Sequence, residues 1–322
     1  MRATVVGAGV VGLTSAVALA ERGAEVTLVE RSRELGGNAS WLAGGMLAPF
    51  CEGESAPQSV VELGQGAIDW WDARVPGVVR KGTLVVAPPR DASEIERFAA
   101  RTSEHERADE ARIAELEPDL AERFRKGLFF AREGHLDPRV ALSALAERLR
   151  ANGGEIRFGV DGEALRDAEA VIDCRGWAAR EALSQLRGVR GEMMRIRSRE
   201  VKLSRAVRFL HPRIPLYIVP RTDNEFMIGA TMIESAERGA VSVRSAIELL
   251  SAAYALHPAF GEAEILEMSA DVRPAYPDNE PRIEEGGNRI FVNGFYRHGF
   301  LLAPAFAARA ATLAFERSGA LV

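Results

Sequence analysis

The sequence predicts an α/β protein: a Rossmann-like dinucleotide-binding domain carrying an inserted, mixed and largely antiparallel α+β segment. Three observations predict it. A complete β–α–β unit with a glycine-rich turn opens the chain at residues 1–31. Residues 189–272 are dominated by strand patterns of a different character. Short apolar runs at 170–174 and 289–292 then return the chain to the first sheet.

Thr4, Val5 and Val6 read as a short buried strand, followed at once by Gly7-Ala8-Gly9-Val10-Val11-Gly12. Apolar positions at Ala16, Val17, Leu19 and Ala20 predict a helix over Leu13 to Arg22, closed by Gly23. Glu25 to Val29 is the second strand, with Glu30 at its carboxyl end. The chemistry of this turn is specific. Gly7 permits the tight strand-to-helix turn, Gly9 lets the backbone approach a pyrophosphate, and Gly12 lets helix and strand pack closely. The helix N-terminus then presents N–H groups to the phosphates. An acid at position 30 accepts hydrogen bonds from ribose hydroxyls and disfavours a 2′-phosphate. The unit alone does not say which dinucleotide is bound.

Residues 32–55 are rich in glycine and small residues, notably Ala43-Gly44-Gly45-Met46-Leu47-Ala48-Pro49, and suit a loop lying against something flat. Val60 to Arg74 reads as one helix with Val61, Ile68 and Trp71 inward, and Gly82 to Ala87 as a strand. Asp91-Ala92-Ser93-Glu94 resembles a capping box, and residues 101–125 read as charged helix. Pro138 starts a helix that Gly153-Gly154 stops. Ile156 to Val160 and Ala170 to Cys174 are strands. The inserted segment reads as strands at 188–196, 206–211, 216–220, 225–230 and 265–272, with a helix from Ser242 to Ala255. Arg289 to Val292 is a last strand, and Leu302 to Arg317 a terminal helix with Pro304 in its first turn.

Composition narrows the function. The chain has 322 residues, enough for a large core and two domains. A net charge of −5 gives no pull toward nucleic acid or anionic membrane. Two cysteines, Cys51 and Cys174, without a C-x-x-C pair argue against a disulfide framework, a redox dithiol or a metal site. No signal pattern or long apolar span is visible, so a cytoplasmic location is expected.

Laid out this way, nearly the whole chain resembles the FAD-dependent amine oxidases of the D-amino-acid oxidase family, and within it the glycine oxidases of bacterial thiamine biosynthesis. Four pieces carry the resemblance: the glycine turn through Glu30, Ala43 to Pro49, Tyr217-Ile218-Val219-Pro220-Arg221 with Ile228 to Met232, and Val272-Arg273-Pro274 with Asn293 to Pro304. It implies non-covalent FAD. Gly7, Gly9, Val10, Val11, Gly12, Glu30 and Arg31 would hold the nucleotide half, with Val160 and Gly176 adding backbone contacts. Ala43, Gly44, Gly45 and Met46 would run beside the isoalloxazine ring, and Gly299, Phe300, Leu301 and Leu302 would meet its pyrimidine edge. Arg273 would bind a substrate carboxylate, assisted by the Tyr217 hydroxyl. Met232 would line the substrate pocket, and Arg297 would lie near both flavin and substrate. Phe295 stands where family members often carry histidine.

The resemblance further implies oxygen as co-substrate and a glycine-like or other small amino acid or amine as substrate, with a thiazole-forming partner and a homo-oligomer left open. A D-amino-acid oxidase or dehydrogenase for larger side chains, and a non-catalytic FAD-binding subunit, are the alternatives. The expected division is 1–80, 135–188 and 273–322 for the FAD-binding domain, and 81–134 and 189–272 for the substrate-binding domain.

Overall fold

The computed structural model describes residues 1–161, 168–211 and 216–319. Two large sheets organise them. The first has six strands in the order Arg282–Gly286, Arg289–Asn293, Ala170–Asp173, Arg2–Val6, Glu25–Glu30 and Glu155–Phe158. Arg2–Val6 is central and pairs in parallel with Glu25–Glu30 on one side and Ala170–Asp173 on the other. The glycine turn therefore leaves the carboxyl end of a strand where the crossover direction reverses, which is where α/β sheets open a crevice.

Helix Val10–Ala20 packs on that sheet and against Pro138–Ala151 and Gly299–Arg317. Nine of its eleven residues are buried, as its apolar character on all sides requires. Gly299–Arg317 is long and apolar enough by composition to span a membrane, yet Phe300 to Ala314 fill the same core as Leu13, Ala16 and Val17. Asp137 caps Pro138–Ala151 by accepting from the Arg139 N–H at 2.8 Å.

The second sheet runs Ile233–Glu234, Arg187–Arg197, Glu225–Gly229, Leu216–Pro220, Ala206–Phe209, Thr83–Val86, Lys126–Phe130 and Glu106–Asp109. Glu264–Ala275 pairs along the whole of Arg187–Arg197. Its pairings are antiparallel except between Ala206–Phe209 and Thr83–Val86. The inner faces of these strands and helix Val243–Leu256 enclose a separate core around Ile218, Ile228, Leu249 and Leu256.

Several elements differ from the sequence reading. The helix expected over 60–74 is two, Gln58–Gly64 and Ala67–Asp72, because Gly64 must let the Leu301 side chain pass: a Cβ there would lie 2.7 Å from Leu301 Cγ. The capping box does not form; Ala92 precedes helix Ser93–Arg101 with no side-chain cap. The charged stretch 101–125 contains the edge strand Glu106–Asp109, whose outward charges suit an edge, before helix Glu110–Leu116. The hairpin strand Arg282–Gly286 had no apolar run to announce it. The last helix starts at Gly299, so Pro304 stands inside it rather than in its first turn. The strand expected to end at Val272 continues through Arg273 to Ala275, so a boundary after residue 272 falls inside a strand.

Candidate active site

A cavity of about 830 Å³ begins at the glycine turn, passes beneath the 37–46 loop and ends against the second sheet. At its first end Gly7 holds φ = 101°, and a Cβ there would lie 2.8 Å from the Cys174 carbonyl oxygen. Gly9 and the Val10 N–H face the Ser40 hydroxyl, which accepts from Val10 at 3.0 Å. Glu30 is fixed in the wall: its carboxylate accepts from the Ala8 N–H at 2.8 Å and the Ser32 N–H at 2.9 Å. Val11, Arg31, Val160 and Gly176 line the same end. The Val160 N–H is spent on the Glu30 carbonyl, leaving its carbonyl for a ligand.

Two of the residues expected to touch the cofactor do not line the cavity. Gly12 sits behind the turn, where a Cβ would lie 1.8 Å from the Gly7 carbonyl oxygen. Its role is the close packing of helix on turn. Leu302 is fully buried in the core, and its N–H donates to the His298 carbonyl at 2.9 Å. Gly299, Phe300 and Leu301 do line the cavity.

Midway, Ala43, Gly44, Gly45 and Met46 form one wall. Gly45 has φ = 69°, and a Cβ there would meet the Leu136 carbonyl oxygen at 2.2 Å. Gly44 lies against Tyr217, whose Cε2 would be 2.5 Å from an added Cβ. Arg221 ties this loop to the second sheet by donating from Nη2 to the Gly44 carbonyl at 2.7 Å. Burial pulls the Arg221 guanidinium down to about 10, with Asp137 3.6 Å away as its carboxylate partner.

At the far end Arg273 and Tyr217 face the cavity from adjacent parts of the second sheet. Arg273 donates from Nη1 to the Thr231 carbonyl at 2.9 Å and forms no ion pair among the described residues. Burial lowers its guanidinium from the ordinary value. A side chain at residue 191 would collide with it, so Gly191 makes the space it occupies. A buried guanidinium without a carboxylate is costly unless a ligand completes it. Burial likewise raises the Tyr217 phenol, a change that the Arg273 charge opposes.

Met232 is 47% exposed and its Sδ accepts from the Tyr296 hydroxyl at 3.1 Å. Arg297 differs from Arg273 in being paired: its Nη2 lies 2.8 Å from Glu52 Oε2 and 2.7 Å from Ser55 Oγ. Glu52 was missed by the sequence reading. It lines the cavity, with Arg208 Nη1 3.3 Å from Oε1 and His298 Nδ1 3.4 Å from Oε2. Burial would raise its carboxyl, but Arg297, His298 when protonated, and Arg208 overcome that and hold it at about 2. Burial takes His298 down to about 4, so at neutral pH it is uncharged. No local pattern marks Glu52; its partners lie 156 and 245 residues away in the chain and only folding assembles them.

Comparison with known proteins agrees with the fold. The FAD dependent oxidoreductase family, DAO, matches residues 2–313. A protein of Rhizobium etli that bears the name thiamine biosynthesis oxidoreductase ThiO is 57% identical over 97% of this chain and 95% of its own. The bifunctional protein ThiO/ThiG of Nostoc is 26% identical over 97% of this chain, which spans 52% of that longer protein. The crystal structure of glycine oxidase from Geobacillus kaustophilus superposes with a TM-score of 0.82, at 24% identity, covering 98% of this chain and 95% of the other.

Proposed function

This chain belongs to the family of FAD-dependent oxidoreductases typified by D-amino-acid oxidase, and from that membership we propose that it oxidises glycine or a similarly small amino acid. The overall reaction converts amino acid, oxygen and water to oxo acid, ammonia and hydrogen peroxide. The single observation that carries the substrate reading is Arg273: a half-buried guanidinium facing the cavity that forms no ion pair among the described residues.

The residues present fit FAD. A Cβ at Gly7 or Gly45 would push into backbone on the other side of the wall, so these glycines set the cavity's outline. Glu30 stands at the carboxyl end of the second strand. Bound there, FAD supplies the hydride acceptor. What the chain supplies is position and environment. A planar guanidinium matches a carboxylate by two parallel charge-assisted hydrogen bonds, so Arg273 fixes one end of an amino acid. The Tyr217 hydroxyl adds a donor to the same group, and fixing the acid aims the Cα–H bond. The amine must be neutral to release a hydride, and a cavity that penalises charge favours that form. Among the described residues no histidine at the site carries a raised pKa, and the reading uses no protein base. The start of helix Gly299–Arg317 turns its N–H end toward the cavity, where negative charge is stabilised.

The same architecture supports the domain division proposed above, one sheet for the nucleotide and one for the substrate. The name of the Rhizobium relative supports a place in thiamine biosynthesis, and the bifunctional Nostoc relative supports hand-over of the product to a thiazole-forming partner. Anaerobic mixing of the holoenzyme with glycine, sarcosine and D-alanine tests the reading. Bleaching of the flavin absorbance by at least one, restored by air, is expected. No bleaching by any of them overturns the substrate assignment.

A further inference from the structure

The cavity's far end holds two guanidinium groups of opposite status. Arg273 has no carboxylate partner; Arg297 is claimed by Glu52. Arg297 Nη2 donates to Ser55 Oγ and is ion-paired with Glu52 Oε2 at 2.8 Å, and Nη1 lies 3.5 Å from Met232 Sδ. Its Nε is buried without a hydrogen-bond partner. Arg208 meets the other Glu52 oxygen while its guanidinium stacks on the Phe98 ring, 5.3 Å from the centroid. Glu52 therefore turns both neighbouring cations toward itself and adds a negative charge to the wall. A substrate's second carboxylate placed here would find Arg297 already neutralised by an ion pair and would face the Glu52 carboxylate. Like charges brought together in a desolvated site are penalised strongly.

We propose that Glu52 is a specificity-determining residue: by pairing with Arg297 it leaves Arg273 as the carboxylate anchor at this end of the cavity among the described residues, and so excludes dicarboxylic substrates. This rests on the reading of Arg273 as that anchor. The anchoring of Glu52 is itself built into the fold. It ends the short helix Pro49–Glu52, whose Cys51 N–H donates to the buried Glu133 carboxylate at 2.7 Å. Ser55, three residues further on, completes the grip on Arg297.

The test uses the holoenzyme and two probes, acetate and malonate, titrated against the visible flavin spectrum. In the wild type, acetate should perturb the spectrum at a concentration at least tenfold lower than malonate. In Glu52→Gln, which keeps shape and removes charge, malonate should gain at least tenfold relative to acetate. The double variant Glu52→Gln with Arg297→Met should lose that gain. D-Aspartate should gain on D-alanine in the reductive half-reaction of Glu52→Gln in the same sense. Equal binding of the two acids by the wild type overturns the proposal, and this arm needs no variant to fold. An unchanged malonate-to-acetate ratio in a yellow Glu52→Gln protein also overturns it. If neither acid perturbs the wild-type spectrum and no amino acid bleaches it, the Arg273 reading falls, and this inference with it.

Discussion

Arg273 shows how one residue's environment predicts its chemistry. It is half-buried, its guanidinium donates to one backbone carbonyl, and it forms no ion pair among the described residues. Replacing it by alanine removes one side of a buried charge pair with the substrate, which costs about 2–5 kcal/mol of binding. Arg273→Ala should raise KM for glycine by at least thirtyfold while the protein still binds FAD; an unchanged KM would refute the role. Glu133 makes a prediction about stability. Burial lifts its carboxyl to about 7, above its ordinary value, against the hydrogen bond from the Cys51 N–H. The folded protein thus holds a proton there that the unfolded chain releases above about 4.5. Stability should fall as pH rises from about 4.5 to about 7 and level off beyond. Glu133→Gln should flatten that part of the curve, measured as Tm against pH. Arg273 and Tyr217 were legible in the sequence because short motifs carry them. Glu52 and Glu133 were not, because their meaning lies in partners brought close by tertiary folding.

At the scale of elements, helix limits set by a single glycine or proline read better from the sequence than the capping box expected at 91–94, which does not form. Gly23 and Pro138 bounded their helices as expected, and Asp137 caps the helix that Pro138 starts. Asp137→Ala should cost about 1 kcal/mol, visible in urea unfolding as a lower midpoint with an unchanged slope. Elements shaped by packing read poorly. The helix break between Gly64 and Ala67 exists because Leu301 presses on Gly64, a residue more than two hundred positions away. The strand Arg282–Gly286 is half-exposed at a sheet edge, so it lacks the apolar alternation by which strands are found. The glycine turn joins both cases. Gly12 has the packing role expected of it and does not line the cavity. Gly12→Ala should destabilise the protein and weaken FAD retention together, since its Cβ would force apart the turn and the helix. An alanine variant with wild-type Tm and FAD affinity would contradict that packing role.

At the scale of the whole molecule, the cavity lies between two separately cored sheets, and its wall belongs to both. Arg221 crosses from the second sheet to the Gly44 carbonyl, Arg139 reaches from the first to Glu267 at 2.7 Å, and Glu52 bridges to Arg297. These polar ties enclose a large internal space, and interiors with voids forfeit packing attraction that a ligand restores. FAD should therefore act as a structural component. A ligand that binds only the folded state adds about 2.7 kcal/mol at a hundredfold excess over its Kd. Stripped protein should melt at a lower temperature than holoenzyme, with Tm rising in proportion to the logarithm of added FAD. The first sheet and the 37–46 loop should gain the most protection from amide exchange, because their walls face the nucleotide and the ring. A Tm independent of FAD would mean that the two sheets hold together without the group between them. The ties through Arg221, Arg139 and Glu52 would then account for the whole of that cohesion.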